Sequence, residues 1–578
     1  MPYDIIVGRD EADKKRFGKR GLIYLGKGYV KMGRYTSLSN SIFMDIARSH
    51  VVLVAGKRGC LTDDTMIFTD KGYTPISDFS DKEDKILSFN KDEKKFEWEN
   101  AKLLKYPINE NLIEIELEDG RKLKLTNEHP LLAGTGDKLI SLVWLEARKL
   151  KIDDSLISVD KDFKDINPVK IRAIKEVTGI DDVYDLSVNK NHSFIANGII
   201  SHNSGKSYSL GVIAEELSTL PAEESKNISS LIFDTMGIFW TMKFENEKET
   251  ELLEEWSLKP KKTPLKIFVP LGYYEEYEKR GIPIDNKFSI NPSELEAEDW
   301  VLNFNLSITE PIAIAIEKTI FKLKETQKIY TIEDIISEIK NDESIEKQTK
   351  NSVIGLFLAA KSWKIFSEQE TKISDLIQGG KTSILDLSMY SSVGAFNVRA
   401  LVIGLISRKL FKQRMLARKA EEVEAVQKGV DYLSFKTKRE MPLVWLFIDE
   451  IHEFLPDKGK TPATDALIQI LREGRQPGLS LVMATQQPGA LAKDAITQSD
   501  IVIGHRVTAL QDIKALNELM QSYLLEDIKH QMDNLPSLKG SAIILDDNSE
   551  RIYPCRIRPR FTWHGGEAPT AVKVEKRI

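Results

Sequence analysis

Hydrophobic positions recur along this chain with two different periods, and the places where the period changes divide it. Residues 50–55 (HVVLVA) are an apolar run with no polar break after its first residue, the pattern of a strand covered on both faces. Beyond Tyr208, Leu210, Ile213, Leu217 and Leu220 return at spacings of three and four, which predicts a helix that Pro221 stops. Residues 60–203, lying between, alternate instead: NLIEIELEDGRKLKL and DKILSFNKDEKKFEW, with turn signals at Asp119-Gly120 and Asn90-Lys91, predict an all-β unit. After the helix, SLIF (230–233), residues 382–387, PLVWLFIDE (442–450) and SLVMA (480–484) predict further buried strands. Residues 290–376 read as helices (EDWVLNFNLS, PIAIAIEKTIFKLKE, SVIGLFLAAKSWKIF). The expected fold is an α/β core with an inserted helical subdomain, interrupted by an all-β domain.

Composition narrows the class. A chain of 578 residues is too long for one core, and 41% hydrophobic with 29% charged residues is a globular balance. No apolar run reaches the roughly 18 residues of a membrane span, and the N-terminus has no signal-peptide core, so the expected address is the cytoplasm with no membrane partner. Two cysteines, Cys60 and Cys555, exclude a disulfide framework. Of the net charge of −6, residues 60–203 carry −7 and the remainder +1, again setting the middle segment apart.

The strand at 50–55 leads into Gly56-Lys57-Arg58-Gly59, which begins a phosphate-binding G-x-x-x-x-G-K-S, but Cys60 ends the pattern. It resumes at Ser204-Gly205-Lys206-Ser207, directly before the predicted helix. Deleting residues 60–203 joins GKRG to SGKS and restores strand, loop and helix in the order that cradles nucleotide phosphates. Gly56 to Gly59 and Ser204 to Ser207 are therefore the expected ATP-binding residues, with Ser207 toward Mg²⁺.

The interrupting segment has the residues that self-excision requires: a nucleophile at its start (Cys60), Asn203 at its end behind His202, and a second nucleophile, Ser204, just beyond. Its termini, CLTDDTMIFTDKGYTPI, KLTNEHPLL and VYDLSVNKNHSFIANGIISHN resemble an intein along the whole 144 residues. That resemblance implies a Hint fold, with no cofactor for splicing. Thr126 and His129 would polarise the scissile amide, and His202 with His192 would assist Asn203 cyclisation. Asp185 would help activate Ser204 or relay protons; a strand-end cap is an equal role for it. The segment is short for an added homing endonuclease and has no LAGLIDADG-like stretch. An inert insert or a processing protease is the alternative.

The remaining 434 residues carry a second nucleotide signature. PLVWLFIDE would deliver Asp449 to Mg²⁺ and Glu450 to the attacking water. Together with DTMG (234–237), REGRQPG (472–478), ATQQP (484–488) and the tail SAIILDD…YPCRIRPRFTWHGG, it resembles the HerA branch of the HerA/FtsK superfamily. The resemblance implies an ATP- and Mg²⁺-dependent, ring-forming translocase or helicase. It would be a homo-hexamer on double-stranded DNA without sequence preference, with a nuclease as a possible partner. A secretion, pilus or packaging motor has the same core. Arg475 is the candidate arginine finger, with Arg472 its rival, and Gln486 the candidate γ-phosphate sensor. Asp234 is either a Mg²⁺ or water contact or a turn cap. Six basic residues between Arg408 and Lys419 spread over more than one helix face and read as solvated surface. The first 45 residues are short for the β-barrel expected of full HerA proteins. The expected units are 1–59 and 204–244 (phosphate loop halves), 60–203 (mini-intein), 245–380 (mainly helical insertion), 381–550 (core with Walker B, finger and sensor) and 551–578 (tail).

Overall fold

The computed structural model of the chain describes residues 3–32, 35–56, 61–80, 84–90, 95–99, 101–107, 112–126, 129–135, 141–147, 150–159, 166–178, 182–188, 193–202, 206–390, 397–428, 441–505, 531–532, 535–536 and 540–564. Among them, the two hydrophobic periods become separate structures. The first is a 13-stranded sheet. Its strands run, edge to edge, Ile5–Val7, Tyr35–Asp45, Leu22–Met32, Arg551–Ile557, Ser541–Asp546, Ile501–His505, Val51–Gly56, Leu479–Thr485, Leu443–Ile448, Ile228–Asp234, Thr382–Asp386, Leu265–Pro270 and Asn286–Phe288. From Ile501–His505 to Asn286–Phe288 every neighbouring pair is parallel.

Helices on both faces explain why these strands are apolar without alternation. Val51, Leu53 and Ala55 face one core, shared with Trp300, Ile316, Phe357 and the helix Val398–Gln427. Val52 and Val54 face the other, filled by Leu210, Ile213, Ala214 and Leu217 of the helix Lys206–Ser218. All six positions of Val51–Gly56 are buried.

The first 45 residues, read as short for a barrel, place their three strands in the main sheet, where Leu22–Met32 pairs with Arg551–Ile557. Three expectations change. For the same reason 551–578 is not simply a tail, because Arg551–Ile557 is an internal strand. Residues 245–380 do contain the helices Pro311–Thr326, Ile332–Asn341 and Lys347–Lys361, yet Leu265–Pro270 and Asn286–Phe288 complete the sheet edge. The basic run on Val398–Gln427 is largely neutralised within the chain. Arg408 binds Asp299 at 2.6 Å, Lys409 binds Glu294 and Glu370, and Arg418 binds Glu422 at 2.7 Å. Arg414 is fully buried, donating to the carbonyls of Pro477 and Met441.

Apart from the helical turn Ile76–Asp78, the regular structure among the described residues of the second part is β. One sheet follows the order Lys122–Leu125, Leu112–Leu117, Ile166–Val177, Ser155–Val159, Pro130–Thr135, Ile199–His202, Ser193–Ala196, Met66–Thr69, Ile86–Asn90 and Lys95–Glu99. A separate ribbon pairs Ala101–Pro107 with Asp182–Val188. Gly120, at φ 84°, makes the expected turn after Leu112–Leu117, in the left-handed region that glycine enters without cost. The turn signal at Asn90-Lys91 falls on a hairpin of which residues 91–94 lie outside the described set.

Candidate functional site

The α/β domain places its candidate residues along the carboxyl ends of three adjacent parallel strands, where ligands of open α/β sheets bind. Val51–Gly56 runs beside Leu479–Thr485 with Ala55 opposite Thr485, and Leu443–Ile448 lies on the far side of that strand. Gly56 therefore ends its strand level with Gln486, and Asp449-Glu450 ends the next. Asp449 is 2% exposed, and its carboxylate accepts from the Glu450 amide at 2.9 Å. Glu450 has φ 50° and ψ 47°, a left-handed backbone that costs a side-chain-bearing residue of the order of 1 kcal/mol. This bend aims its carboxylate at the Gln486 amide, which donates to Glu450 Oε1. Glu450 Oε2 is buried without a hydrogen bond among the described residues, 3.6 Å from His452 Nδ1. Thr485 meets the same His452 nitrogen at 3.2 Å. His452 and Thr485 were missed from sequence, although IDEIHEF and MATQQP contain them.

Lys206 and Ser207 begin the helix Lys206–Ser218, but their side chains, and all of Lys57, Arg58, Gly59, Ser204 and Gly205, lie outside the described residues. What holds this helix is well defined. Glu215, fully buried, accepts from Arg558 Nη1 at 2.9 Å, Arg560 Nε at 3.0 Å, the Thr562 amide at 3.1 Å and the Thr562 hydroxyl. Gly211 leaves room for the Arg560 guanidinium, since a Cβ there would sit 2.6 Å from Cζ. A buried carboxylate with this many donors escapes the cost of an unpaired internal charge.

Of two further candidates, Asp234 takes the second of its two expected roles and Arg475 lies away from this edge. Asp234 is fully buried and accepts from the amides of Met236, Gly237, Ile238 and Phe239 at 2.7–3.2 Å, which makes it the turn cap. Burial and the neighbouring Asp386 raise its pKa despite those amides. Arg475 follows the helix Thr464–Glu473 and is half-exposed, donating to the Gln498 carbonyl at 2.5 Å, with Asp500 at 3.5 Å. Asp500 precedes the strand Ile501–His505, so Arg475 lies at the amino ends of the parallel strands, a strand length (about 20 Å) from Glu450. Arg472 is committed to Asp494 by bonds of 2.7 and 3.0 Å.

At that same edge sits a network with no sequence signal beyond its residue types. His50, between Asp45 Oδ2 at 3.1 Å and Asp500 Oδ2 at 2.5 Å, is buried, and Arg9 closes the other side of Asp45. Burial works to lower the His50 pKa, but the two carboxylates overcome it and push it up to about 9.

In the β domain, backbone pairing gathers the neighbours of both candidate junctions. Leu61, next after Cys60, exchanges 2.7 Å hydrogen bonds with Tyr184, beside Asp185, and bridges to Leu125, beside Thr126. The last strand, Ile199–His202, pairs Ser201 with both Phe194 and Leu131, and His202 with Ser193. Thr126 and His129 are fully buried in a turn closed by the His129 amide on the Thr126 carbonyl at 3.0 Å. The His129 imidazole bonds the Ser201 hydroxyl through Nε2 and meets the Phe194 ring edge-on at 6.4 Å. Cys60, His192 and Asn203, and the side chains of Asp185 and His202, lie outside the described residues.

Family comparisons agree with this division. Residues 66–203 match the intein splicing domain and residues 204–410 the central domain of helicase HerA. The DNA double-strand break repair helicase HerA of Pyrococcus furiosus is 28% identical over 184 residues, 29% of this chain and 31% of that protein. The ribonucleoside-diphosphate reductase large subunit of Invertebrate iridescent virus 6 is 29% identical over 143 residues, 23% of this chain and 14% of that protein. The chain thus spans less than a third of the length of either relative. Among solved structures, a DnaB intein from Synechocystis sp. PCC 6803 is 25% identical, covering 25% of this chain and 99% of its own, with a TM-score of 0.22. The two family matches abut between Asn203 and Ser204, so the chain is similar to the central domain of helicase HerA directly after a segment similar to the intein splicing domain.

Proposed function

We propose that the chain is a precursor that excises residues 60–203 and thereby completes the phosphate loop of a ring-forming, DNA-translocating ATPase. The observation that carries this reading is the seating of one half-motif on the strand Val51–Gly56 and the other on the helix Lys206–Ser218 of one α/β core.

Excision follows from the residue types at the junctions. Cys60 Sγ attacks the Gly59 carbonyl: the C–S bond forms, the C–N bond breaks, and the thiol proton ends on the Cys60 amine, assisted by Thr126 and His129. Ser204 Oγ then takes the acyl group from sulfur, restoring the thiol. Asn203 Nδ2 closes on its own carbonyl and releases the Ser204 amine, with His202 and His192 moving the proton and Asp185 assisting. That amine attacks the ester, leaving a Gly59–Ser204 peptide bond and a free Ser204 hydroxyl.

In the joined protein, a P-loop core of RecA type, Gly56 to Gly59 and Ser204 to Lys206 would wrap the ATP phosphates. Ser207 and Asp449 would hold Mg²⁺, which when bound neutralises phosphate charge; the buried Asp449 beside a carboxylate oxygen without a donor fits a cation site. Glu450 orients water and Gln486 holds Glu450 until the γ-phosphate engages its amide. Arg475, too far to serve its own chain, acts on a neighbour's nucleotide, which is what a closed ring such as a hexamer supplies. Duplex DNA is the proposed track, with a nuclease as a further partner and the cytoplasm as the site of action. Among the described residues no helix is long and apolar enough to cross a membrane.

Mass spectrometry after expression tests the first half: one 434-residue product and one 144-residue fragment are expected, and two unjoined host pieces would refute splicing. ATP turnover of the joined product with and without duplex DNA tests the second; turnover indifferent to DNA would turn the reading toward a secretion or packaging motor.

A further inference from the structure

Ser201 has no part in the chemistry above, yet its hydroxyl is the partner of the His129 imidazole, and both residues are fully buried. It lies on the strand Ile199–His202, two positions before Asn203, while His129 belongs to the Thr126 turn that serves the other junction. One hydrogen bond therefore spans the two half-reactions. We infer that Ser201 is a positioning residue for His129, so that activation of the Gly59–Cys60 bond requires the strand carrying the downstream junction to be seated. This rests on the splicing reading and adds a requirement to it.

The reasoning is chemical. A neutral imidazole has one N–H and one bare nitrogen, and the partner of one nitrogen decides which proton the other carries. With Nε2 occupied by Ser201, Nδ1 is the nitrogen that serves the junction. A hydroxyl oxygen suits that task because it accepts from Nε2–H in the neutral ring as well as in the protonated one, which leaves Nδ1 bare in the neutral ring. Nδ1 can then take a proton and release it to the departing Cys60 amine without the ring losing its partner. The imidazole has little freedom to find another orientation: Phe194 packs nearly perpendicular to it, and the His129 backbone is fixed by the Thr126 carbonyl on one side and the Ala147 amide at 3.0 Å on the other. Register fixes Ser201 as firmly, since Leu131 and Phe194 flank it on the two neighbouring strands. A one-residue slip of the final strand would turn Ser201 to the opposite face of the sheet and leave His129 without it.

Two half-reactions of the full-length chain separate this from a role in stability alone. In an Asn203→Ala background, cleavage at Gly59–Cys60 by added thiol reads upstream activation; in a Cys60→Ala background, release at Asn203 reads downstream cyclisation. Ser201→Ala should slow thiol-induced upstream cleavage about 10-fold or more, within the usual contribution of a positioned acid–base group. Downstream release should change by less than about two-fold, and Ser201→Thr should restore the upstream rate, since it keeps the hydroxyl. In the otherwise unaltered chain, Ser201→Ala should convert ligated product into downstream-cleaved by-product. Equal losses in both half-reactions, or none in the upstream one, would overturn the inference. If the unaltered chain performs neither half-reaction, the splicing reading fails instead, which is a distinguishable result.

Discussion

The two domains solve the same problem, one chain interrupting another, with opposite packing habits. Among the described residues, apolar clusters of the β domain draw only on residues 61–200, and those of the α/β domain draw on none of them. The α/β domain instead reaches across the interruption. Val51–Gly56 takes its hydrogen-bonded neighbours from Leu479–Thr485 and Ile501–His505, and the helix after the break is held by Arg558 and Arg560 near the end of the chain. Buried ion pairs belong to this domain, at Glu215 and at Asp45, where a long-range sheet must fix which distant segments meet. Under the proposed excision, neither apolar core loses a residue to the other.

The sharpest way to break that comparison is a Cys60→Ala/Asn203→Ala precursor. Both domains should melt as they do separately, yet ATP turnover should fall at least about 100-fold, because the loop and its lysine are on different sides of the insert. Turnover at the rate of the joined protein would show that the loop works while split. In the joined protein, Glu450→Gln should cost a comparable factor in turnover while leaving nucleotide binding in place, and in the precursor it should leave splicing unchanged.

Next in size is the clamp on the phosphate-loop helix. Gly211→Ala places a methyl 2.6 Å from the Arg560 Cζ, and this guanidinium cannot swing away, since Glu215, Thr562 and His564 all hold it. Glu215→Gln removes the charge facing Arg558 and Arg560. Either change should destabilise the α/β domain by about 3–5 kcal/mol, the usual result of breaking a buried charge cluster, and leave the melting of the β domain where it was.

The His50 network gives a pH signature. Its folded pKa of about 9 lies above the unfolded value near 6.5, so its contribution is full below pH 6.5 and is lost as pH rises through 9. A shift of this size is on the order of 3 kcal/mol. Asp45 and Asp500, lowered by His50 in spite of burial, contribute above the ordinary carboxylate pKa and lose that contribution in acid. Denaturation of the joined protein from pH 6 to 9.5 should show the alkaline loss, and His50→Gln should flatten it.

What was legible in the sequence divides along physical lines. The strands at 51–56 and 443–448 were readable because burial on both faces leaves an unbroken apolar run, a local property. The split motif was readable because its spacing is covalent. The charges were not: Glu215 stands among Ile213, Ala214 and Leu217 on a helix, and nothing local says that its partners lie 343 and 345 residues away. Leu265–Pro270 was hidden for a related reason, since a short run beside helical segments has no periodic signal of its own. Ser201 stood in a recognised motif, but its bond to His129 depends on the pairing of Ile199–His202 with Pro130–Thr135, a long-range register.

The smallest predicted effect tests the independence of the β domain most directly. Asn197 turns the chain from Ser193–Ala196 into Ile199–His202 with φ 47°, and Gly198 follows at φ 77°. Its side chain accepts from the Met66 amide and donates to the Lys122 carbonyl, each at 2.7 Å, so one residue ties the final hairpin to two distant segments. Asn197→Ala loses both bonds and holds an alanine in the left-handed region, for about 2 kcal/mol in all. Asn197→Gly keeps the backbone free and loses only the bonds, for about 1 kcal/mol. Melting of the precursor should therefore order the three as Asn, Gly, Ala in the β transition alone. The joined product, which no longer contains the residue, should be the same protein from each. A parallel shift in the α/β transition would mean that the two cores are coupled after all.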